Sequence, residues 1–187
     1  MHNGGIGCWK HIKRNLALSL GERWFGYVQG STDSEWAFAL FLDCLEKAGF
    51  NPDSPPTEKG FGHSVLRKAL LKTISRINAF IAALDEEHRA DDCRSLLNFA
   101  ITDGHSVVCS RYVSSRRDEA ASLFFSSGTS WKEQRGKGKE GGEKDPEQKD
   151  YVMERRDKGS DIVLVASEPL TFERGKMVSH TLLEVLY

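Results

Sequence analysis

Apolar residues recur at helical spacing in three stretches of the chain. Ile6, Trp9, Ile12, Leu16 and Leu20 lie three to four positions apart, which predicts a short helix with Lys10, Lys13 and Arg14 on its wet side. Trp36, Leu40, Cys44 and Ala48 repeat every fourth residue, with Phe41 and Leu45 beside them, so a second helix is expected from Thr32 or Asp33 to about Ala48. Gly49 is its expected C-cap, and Pro52 bars continuation. The longest stripe, Leu66, Leu70, Ile74, Ile77, Ile81 and Leu84, predicts a helix from Ser64 to Glu87 with Lys68, Lys72 and Arg76 facing water. Between the first two helices, Trp24, Phe25 and Tyr27 read as a brief extended segment turned into the core.

From Ser95 the period changes to two. Leu97, Phe99 and Ile101 alternate with Leu96, Asn98 and Ala100, Asp103-Gly104 is a hairpin turn signal, and Ser106 to Val113 is the return strand. Both faces of this hairpin are fairly apolar, which suits a strand pair sandwiched between layers. Ala121 to Ser126 reads as a further strand. Tyr151 to Glu154 and Asp161 to Ala166 read as paired strands joined by a turn at Asp157 to Ser160. Asn51 to Gly62, rich in Pro, Gly and Ser, reads as a loop. Long helices flanking antiparallel strands without a βαβ rhythm make the expected class α+β.

Composition adds limits. A length of 187 residues suits one domain, and 39% hydrophobic residues suffice for a core. A formal net charge of -1 gives no global attraction to nucleic acid or anionic membrane. No apolar run reaches the roughly 18 residues of a transmembrane helix, and no signal peptide opens the chain. Cys8, Cys44, Cys93 and Cys109 show no metal-ligand spacing, so reduced thiols in a cytoplasmic protein, with no metal and no cofactor, are the expectation. Trp131 to Asp150 holds six basic and six acidic residues without apolar periodicity, and reads as a solvated insertion loop.

Candidate chemistry gathers at His2-Asn3-Gly4-Gly5 and at Gly30-Ser31-Thr32-Asp33-Ser34-Glu35. The side-chain amide of Asn3 and the backbone N–H of Gly4 can both donate to one oxygen, which suits an oxyanion hole. Asp33 supplies a carboxylate able to hold an ammonium group. The same residues also make an ordinary Asn-Gly turn and a Thr32-x-x-Glu35 capping box. Arg111, inside the return strand, needs a carboxylate or carbonyl partner if buried, as a structural pair or as a contact near the substrate.

Read together, HNGGI, IKR and QGSTDSEWAFALFLD resemble the class II glutamine amidotransferase family. SLLNFAITDGHSVVCSRYVSS and IVLVASEPLTFER narrow the likeness to the fungal Dug-type subunit of glutathione degradation, from His2 to Arg174. The resemblance implies an N-terminal-nucleophile fold, a four-layer αββα sandwich. It implies cleavage of a γ-glutamyl amide, in glutamine or glutathione: a cysteine thiolate, with its own α-amine as base, attacks the carbonyl, and a glutamyl thioester forms and is hydrolysed. Asn3 and Gly4 would form the oxyanion hole, Asp33 would bind the glutamyl α-ammonium, and Glu168, on a segment that closes over the site in the family, is a secondary candidate. A metallopeptidase-like subunit would be the partner. Two features depart from the family. Its nucleophilic cysteine stands at the mature N-terminus, whereas here Met1 leads straight into His2. Gly175 to Tyr187 does not match the family's closing strand. The expectation is therefore an N-terminally truncated, incomplete sandwich, inactive and poorly folded by itself. The alternative is a non-catalytic fragment or paralogue that binds a partner subunit. Cys8 follows the oxyanion motif, carries no free α-amine, and is not expected to substitute as nucleophile.

The composition of Trp131 to Asp150 cannot bury enough apolar area to offset a chain entropy of roughly 1–2 kcal/mol per residue. Limited proteolysis is expected to cut there first. First cleavage inside Ser64 to Glu87 would refute that reading.

Overall fold

A computed structural model of the chain describes residues 1–54, 59–89, 93–134, 150–154, 162–168, 176–177 and 181–186. The elements run β1 (His2–Gly5), α1 (Trp9–Ser19), α2 (Glu22–Tyr27), α3 (Asp33–Lys47), α4 (His63–Ala82), α5 (Glu86–Arg89), β2 (Leu96–Thr102) and β3 (Ser106–Arg111). Then come β4 (Phe124–Gly128), β5 (Ser130–Gln134), β6 (Asp150–Glu154), β7 (Ile162–Ala166), β8 (Lys176–Met177) and β9 (Thr181–Leu186). They divide into two compact units, Met1–Ala121 with His180–Leu186, and Ser122–Ser179 with Tyr187.

In the first unit a four-stranded antiparallel sheet has the order β1-β2-β3-β9. The apolar stripes of α1, α3 and α4 meet the sheet in one core, where Ile12, Leu16, Leu40, Leu66 and Ile77 pack with Leu97, Phe99 and Val108. Each such side chain contributes about 1.5–3 kcal/mol by leaving water. Helix plus antiparallel sheet is the α+β class expected from the sequence. The second unit holds the sheet β7-β4-β8 and the pair β5-β6.

Local chemistry sets the helix ends. The Thr32 hydroxyl accepts from the Glu35 amide at 3.4 Å, as a capping box requires, but Glu35 turns back to accept from Gln29 N–H at 2.8 Å. At the other end of α3, Gly49 N–H donates to Glu46 and Phe50 N–H to Leu45, a Schellman pair. Helix α4 stops at Ala82, short of the expected Glu87. Asp85 is the reason: its carboxylate accepts from His88 N–H at 3.0 Å and so caps a new helix, α5.

Several expectations are corrected. Trp24, Phe25 and Tyr27 lie on helix α2, not on an extended segment. Gly21 C=O accepts from both Trp24 and Phe25 N–H, and the helical turn points only Trp24 inward. Phe25 and Tyr27 stay 52% and 57% exposed. Strand β6 pairs with β5, and β7 pairs with β4, so Tyr151–Glu154 and Ile162–Ala166 are not partners. These pairings are long-range, and adjacency in sequence cannot reveal them. The ends of the expected loop at 131–150 are thereby strand, and 135–149 lie outside the described residues, as does the turn at 157–160. Outside those expectations, Thr181–Leu186 forms β9 on β3. Cys8 and Cys93 are joined as a disulfide although reduced thiols were expected. The fold brings their Cα atoms to 4.6 Å across a sequence separation of 85. Cys44 and Cys109 are free and buried, and burial pushes the Cys109 thiol up to about 11.

One buried carboxylate locks three helices. Asp43, on α3, is 1% exposed. It accepts from Arg76 of α4 at 2.6 Å, from Lys47 at 2.7 Å and from the Gly21 amide, which precedes α2, at 3.1 Å. Arg76 also donates to the Ser19 hydroxyl, at the end of α1. Burial alone would raise the Asp43 carboxyl, but the hydrogen bonds from Lys47, Arg76 and Gly21 outweigh it and hold the group below its ordinary value. A depressed carboxylate contributes stability that is present above its unfolded value, near ~3.9, and is lost as pH falls through the lower folded value. Asp43→Asn is expected to cost about 2–3 kcal/mol at pH 7 in urea unfolding, the low side of the range because Lys47 can return to water. The loss of stability between about pH 5 and pH 2 should be shallower in the variant. Equal pH slopes for the two proteins would refute the assignment.

Candidate functional site

The two motifs singled out in the sequence lie side by side. Asp33 is the first residue of α3, and its Oδ2 accepts the Ile6 N–H at 2.8 Å, immediately after β1. A Cβ placed on Gly5 would be 3.8 Å from the same oxygen. The other oxygen, Oδ1, accepts from Ser34 N–H at 2.8 Å. The helix N-terminus thus fixes the carboxylate beside the Asn3-Gly4 strand, with lone pairs left on both oxygens.

Strand parity decides where the Gly4 donor points. Met1 and Ala100 exchange two hydrogen bonds, Met1 N to Ala100 O at 2.8 Å and Ala100 N to Met1 O at 2.9 Å. In an antiparallel ladder such pairs alternate with pairs whose N–H groups face away. Asn3 opposite Asn98 is therefore a bonded position, and Gly4 opposite Leu97 is not. The Gly4 N–H points to the open edge of the sheet, where no strand among the described residues pairs with β1. Asn3 and Gly4 are both exposed. The Asn3 side chain and the Gly4 N–H are thus both accessible to a ligand at that edge.

Close approach requires glycine here. Gly4 has φ +137°, and a Cβ on it would run into the carbonyl oxygen of Leu96. The Gly7 N–H donates to the buried Ser95 hydroxyl at 2.9 Å. Cys8 follows at the start of α1 with φ 51° and is tied to Cys93. It is no free thiol in this structure.

Arg111 is buried and donates from Nε to the Ala121 carbonyl at 3.0 Å and from Nη2 to that of Ala120 at 2.7 Å, so it clamps the chain that follows β3. Glu168 is exposed beyond β7, in the second unit. Sequence reasoning missed His2 and Ser34 as supports. His2 Nδ1 meets the Ser34 hydroxyl at 2.9 Å, its Nε2 meets the Leu96 carbonyl at 3.2 Å, and its ring lies on Phe99. Since a carbonyl only accepts, Nε2 donates to Leu96, and the Ser34 hydroxyl that meets Nδ1 also lies 3.4 Å from Asp33 Oδ1. Both residues stand inside the two motifs. No spacing rule connects positions 32 residues apart, so only their place in those motifs could have flagged them. Asn98, also unassigned, is buried and donates to the Ala121 carbonyl at 3.1 Å.

No protein-family model matches the chain. Over 177 residues it is 48% identical to the probable glutamine amidotransferase DUG3 of Saccharomyces cerevisiae, a match covering 94% of this chain and 45% of that protein. The chain thus spans under half the length of this curated relative. The resemblance read from the motifs holds: the chain is a homologue of a glutamine amidotransferase. A solved glutamine aminotransferase class-II domain protein from Silicibacter pomeroyi matches 68% of this chain and 49% of its own, with 26% identity and a TM-score of 0.43, too loose a likeness to carry an argument.

Replacing Gly4 tests the geometry. Gly4→Ala is expected to destabilise the first unit by more than about 2 kcal/mol in thermal or urea unfolding, from backbone strain plus the collision with Leu96. Gly26, where a Cβ meets nothing, is the control: Gly26→Ala, inside α2, should be neutral or stabilising. Equal melting of the two variants would refute the close approach at Leu96.

Proposed function

We propose that this homologue of a glutamine amidotransferase carries the oxyanion hole and the ammonium-binding carboxylate for hydrolysis of a γ-glutamyl amide. The observation behind this reading is the meeting of the two motifs: the Gly4 N–H on an open edge, the exposed Asn3 amide one residue before it, and the Asp33 carboxylate bonded to Ile6 two residues after it. When a thiolate attacks the amide carbonyl, negative charge moves onto its oxygen. Asn3 Nδ2 and Gly4 N–H are two fixed donors for that charge. The Asp33 carboxylate attracts the α-ammonium of the glutamyl group in the ground state, which orients the γ-carbonyl. A glutamyl thioester and its hydrolysis complete the cycle.

The finer parts of the reading rest on the family resemblance. The substrate is glutamine or glutathione, the setting is cytoplasmic glutathione catabolism, the partner is a metallopeptidase-like subunit, and the architecture is an incomplete αββα sandwich. The thiol has to be supplied to this site. Cys8 is in a disulfide and Cys44 and Cys109 are buried, so no cysteine among the described residues offers a reactive sulfur. The same observation favours a second reading, a non-catalytic chain that serves a partner subunit.

Calorimetric titration with glutamine separates these readings. The 187-residue chain is expected to bind glutamine without releasing glutamate. Asp33→Asn should weaken binding about tenfold or more, since it removes a charge that meets the ammonium. Asn3→Ala should bind nearly as well as wild type, because its donor acts mainly on the transition state. In a longer form that turns over, Asn3→Ala should lower kcat about 10²–10³-fold. Unchanged glutamine affinity in a folded Asp33→Asn variant would overturn the assignment, and glutamate release abolished by Cys8→Ser would make Cys8 the nucleophile.

A further inference from the structure

We propose that the Cys8–Cys93 disulfide is a reversible thiol-exchange site, opened by a low-molecular-weight thiol, and that opening it frees the turn beside the candidate site. The link ties residues 6–8 to residues 93–95, at the point where the chain leaves β1. There the Ile6 N–H donates to Asp33 Oδ2 at 2.8 Å. The Gly7 N–H donates to the buried Ser95 hydroxyl at 2.9 Å, and a Cβ on Gly7 would run into the Cys93 carbonyl. Cys8 follows with φ 51°, a left-handed conformation uncommon for a residue with a side chain. The disulfide is the covalent tie in this strained turn. With it open, hydrogen bonds alone hold the turn beside Asp33.

The two cysteines differ in access. Cys8 is 7% exposed, whereas Cys93 is half-buried. Cys8 is also the N-cap of α1, a helix of 11 residues with no acidic residue in its first turn, so the positive helix end favours negative charge on the Cys8 side. Access and charge agree: an incoming thiolate attacks Cys93 Sγ, and Cys8 Sγ leaves. The bond from the thiolate to Cys93 Sγ forms, the bond between the two Sγ atoms breaks, and its electron pair goes to Cys8 Sγ, which takes a proton from water. A second thiolate then attacks the sulfur of the first, and Cys93 leaves and is protonated. Two small thiols are thereby oxidised to their disulfide, and the protein disulfide is reduced to two thiols. The His88 carbonyl oxygen, 3.4 Å from Cys8 Sγ and 3.6 Å from Cys93 Sγ, is placed to accept from both thiols. Cys44 and Cys109 are buried and stay outside the exchange. The consequence for substrate rests on the γ-glutamyl reading above, whereas the exchange itself does not.

The test uses the full 187-residue chain with 2-mercaptoethanol and its disulfide, a couple that carries no γ-glutamyl group. The chain is equilibrated at a series of thiol-to-disulfide ratios, quenched with acid and weighed by mass spectrometry. A reversible transition between the closed and the dithiol forms is expected. In Cys8→Ser the small disulfide should cap Cys93, and in Cys93→Ser it should cap Cys8 about tenfold more slowly or less. In the reduced wild-type chain, amide exchange at Ile6 and Gly7 should speed up about tenfold relative to Leu97 in β2, and the melting temperature should fall by about 10 °C. Glutamine should bind the reduced chain about tenfold more weakly than the closed one. If neither form binds glutamine, the γ-glutamyl reading fails, and capping and amide exchange still decide the exchange site. Circular dichroism verifies that each variant is folded, and amide exchange in the wild-type chain decides alone if a variant is not. Absence of the closed form at every ratio, equal capping rates in the two variants, unchanged relative exchange at Ile6 and Gly7, or equal and measurable glutamine affinity of the two forms would overturn the proposal.

Discussion

The hydrogen bond from the Ile6 amide to the Asp33 carboxylate is the constraint on which the candidate site depends. It joins the end of β1 to the first turn of α3, across 27 residues of sequence. Without it, β1 would be an edge strand held only by β2, and edge strands fray. With it, the exposed Asn3-Gly4 pair sits on a strand fixed on one side by a ladder and behind by a helix start. The carboxylate is itself fixed, because Ser34 N–H and the positive end of α3 hold its second oxygen.

The same device recurs where other loops meet the core. Asp103, at the β2–β3 turn, accepts from His105 and Ser106 through one oxygen and from Phe61 and Gly62 through the other. Burial would raise its carboxyl, and these backbone donors hold it down instead. Asp43 does for α2, α3 and α4 what Asp103 does for two loops. A carboxylate with two oxygens can collect main-chain and cationic donors from several elements at once, which an apolar contact cannot do with direction. Hydrophobic burial of the stripes on α1, α3 and α4 drives association, and these three aspartates fix the register in which it occurs.

Around the first turn of α1 the backbone is unusually constrained. Gly4 is excluded from carrying a side chain by Leu96, Gly7 by the Cys93 carbonyl, and Cys8 adopts a left-handed conformation between them and the helix. The Cys8–Cys93 link spans this region. A cross-link between residues 85 apart restricts the unfolded chain strongly, by roughly 4.5 kcal/mol in the loop-entropy account.

What the sequence determined by itself was local. Leu40, Leu70 and Ile77 marked their helices because a helix face repeats every three to four residues, and Thr32, Gly49 and Asp103-Gly104 marked their ends because capping and turning are one-segment chemistry. Asn3, Gly4 and Asp33 were legible as candidates because their residue types stand in short motifs. What the tertiary structure decided was everything that depends on which segments meet. Trp24 turned inward on a helix because Glu46 was there to accept its indole N–H. Strands β5 and β6 found each other across residues whose composition announced only a loop. Cys8 and Cys93 came together across 85 residues of sequence, so no spacing in the chain could show their link. The Gly4 N–H became available because ladder parity, set by the pairing of Met1 with Ala100, turned it outward. Short-range periodicity survives translation into one dimension, whereas contacts closed by chain loops of 27, 32 or 85 residues do not.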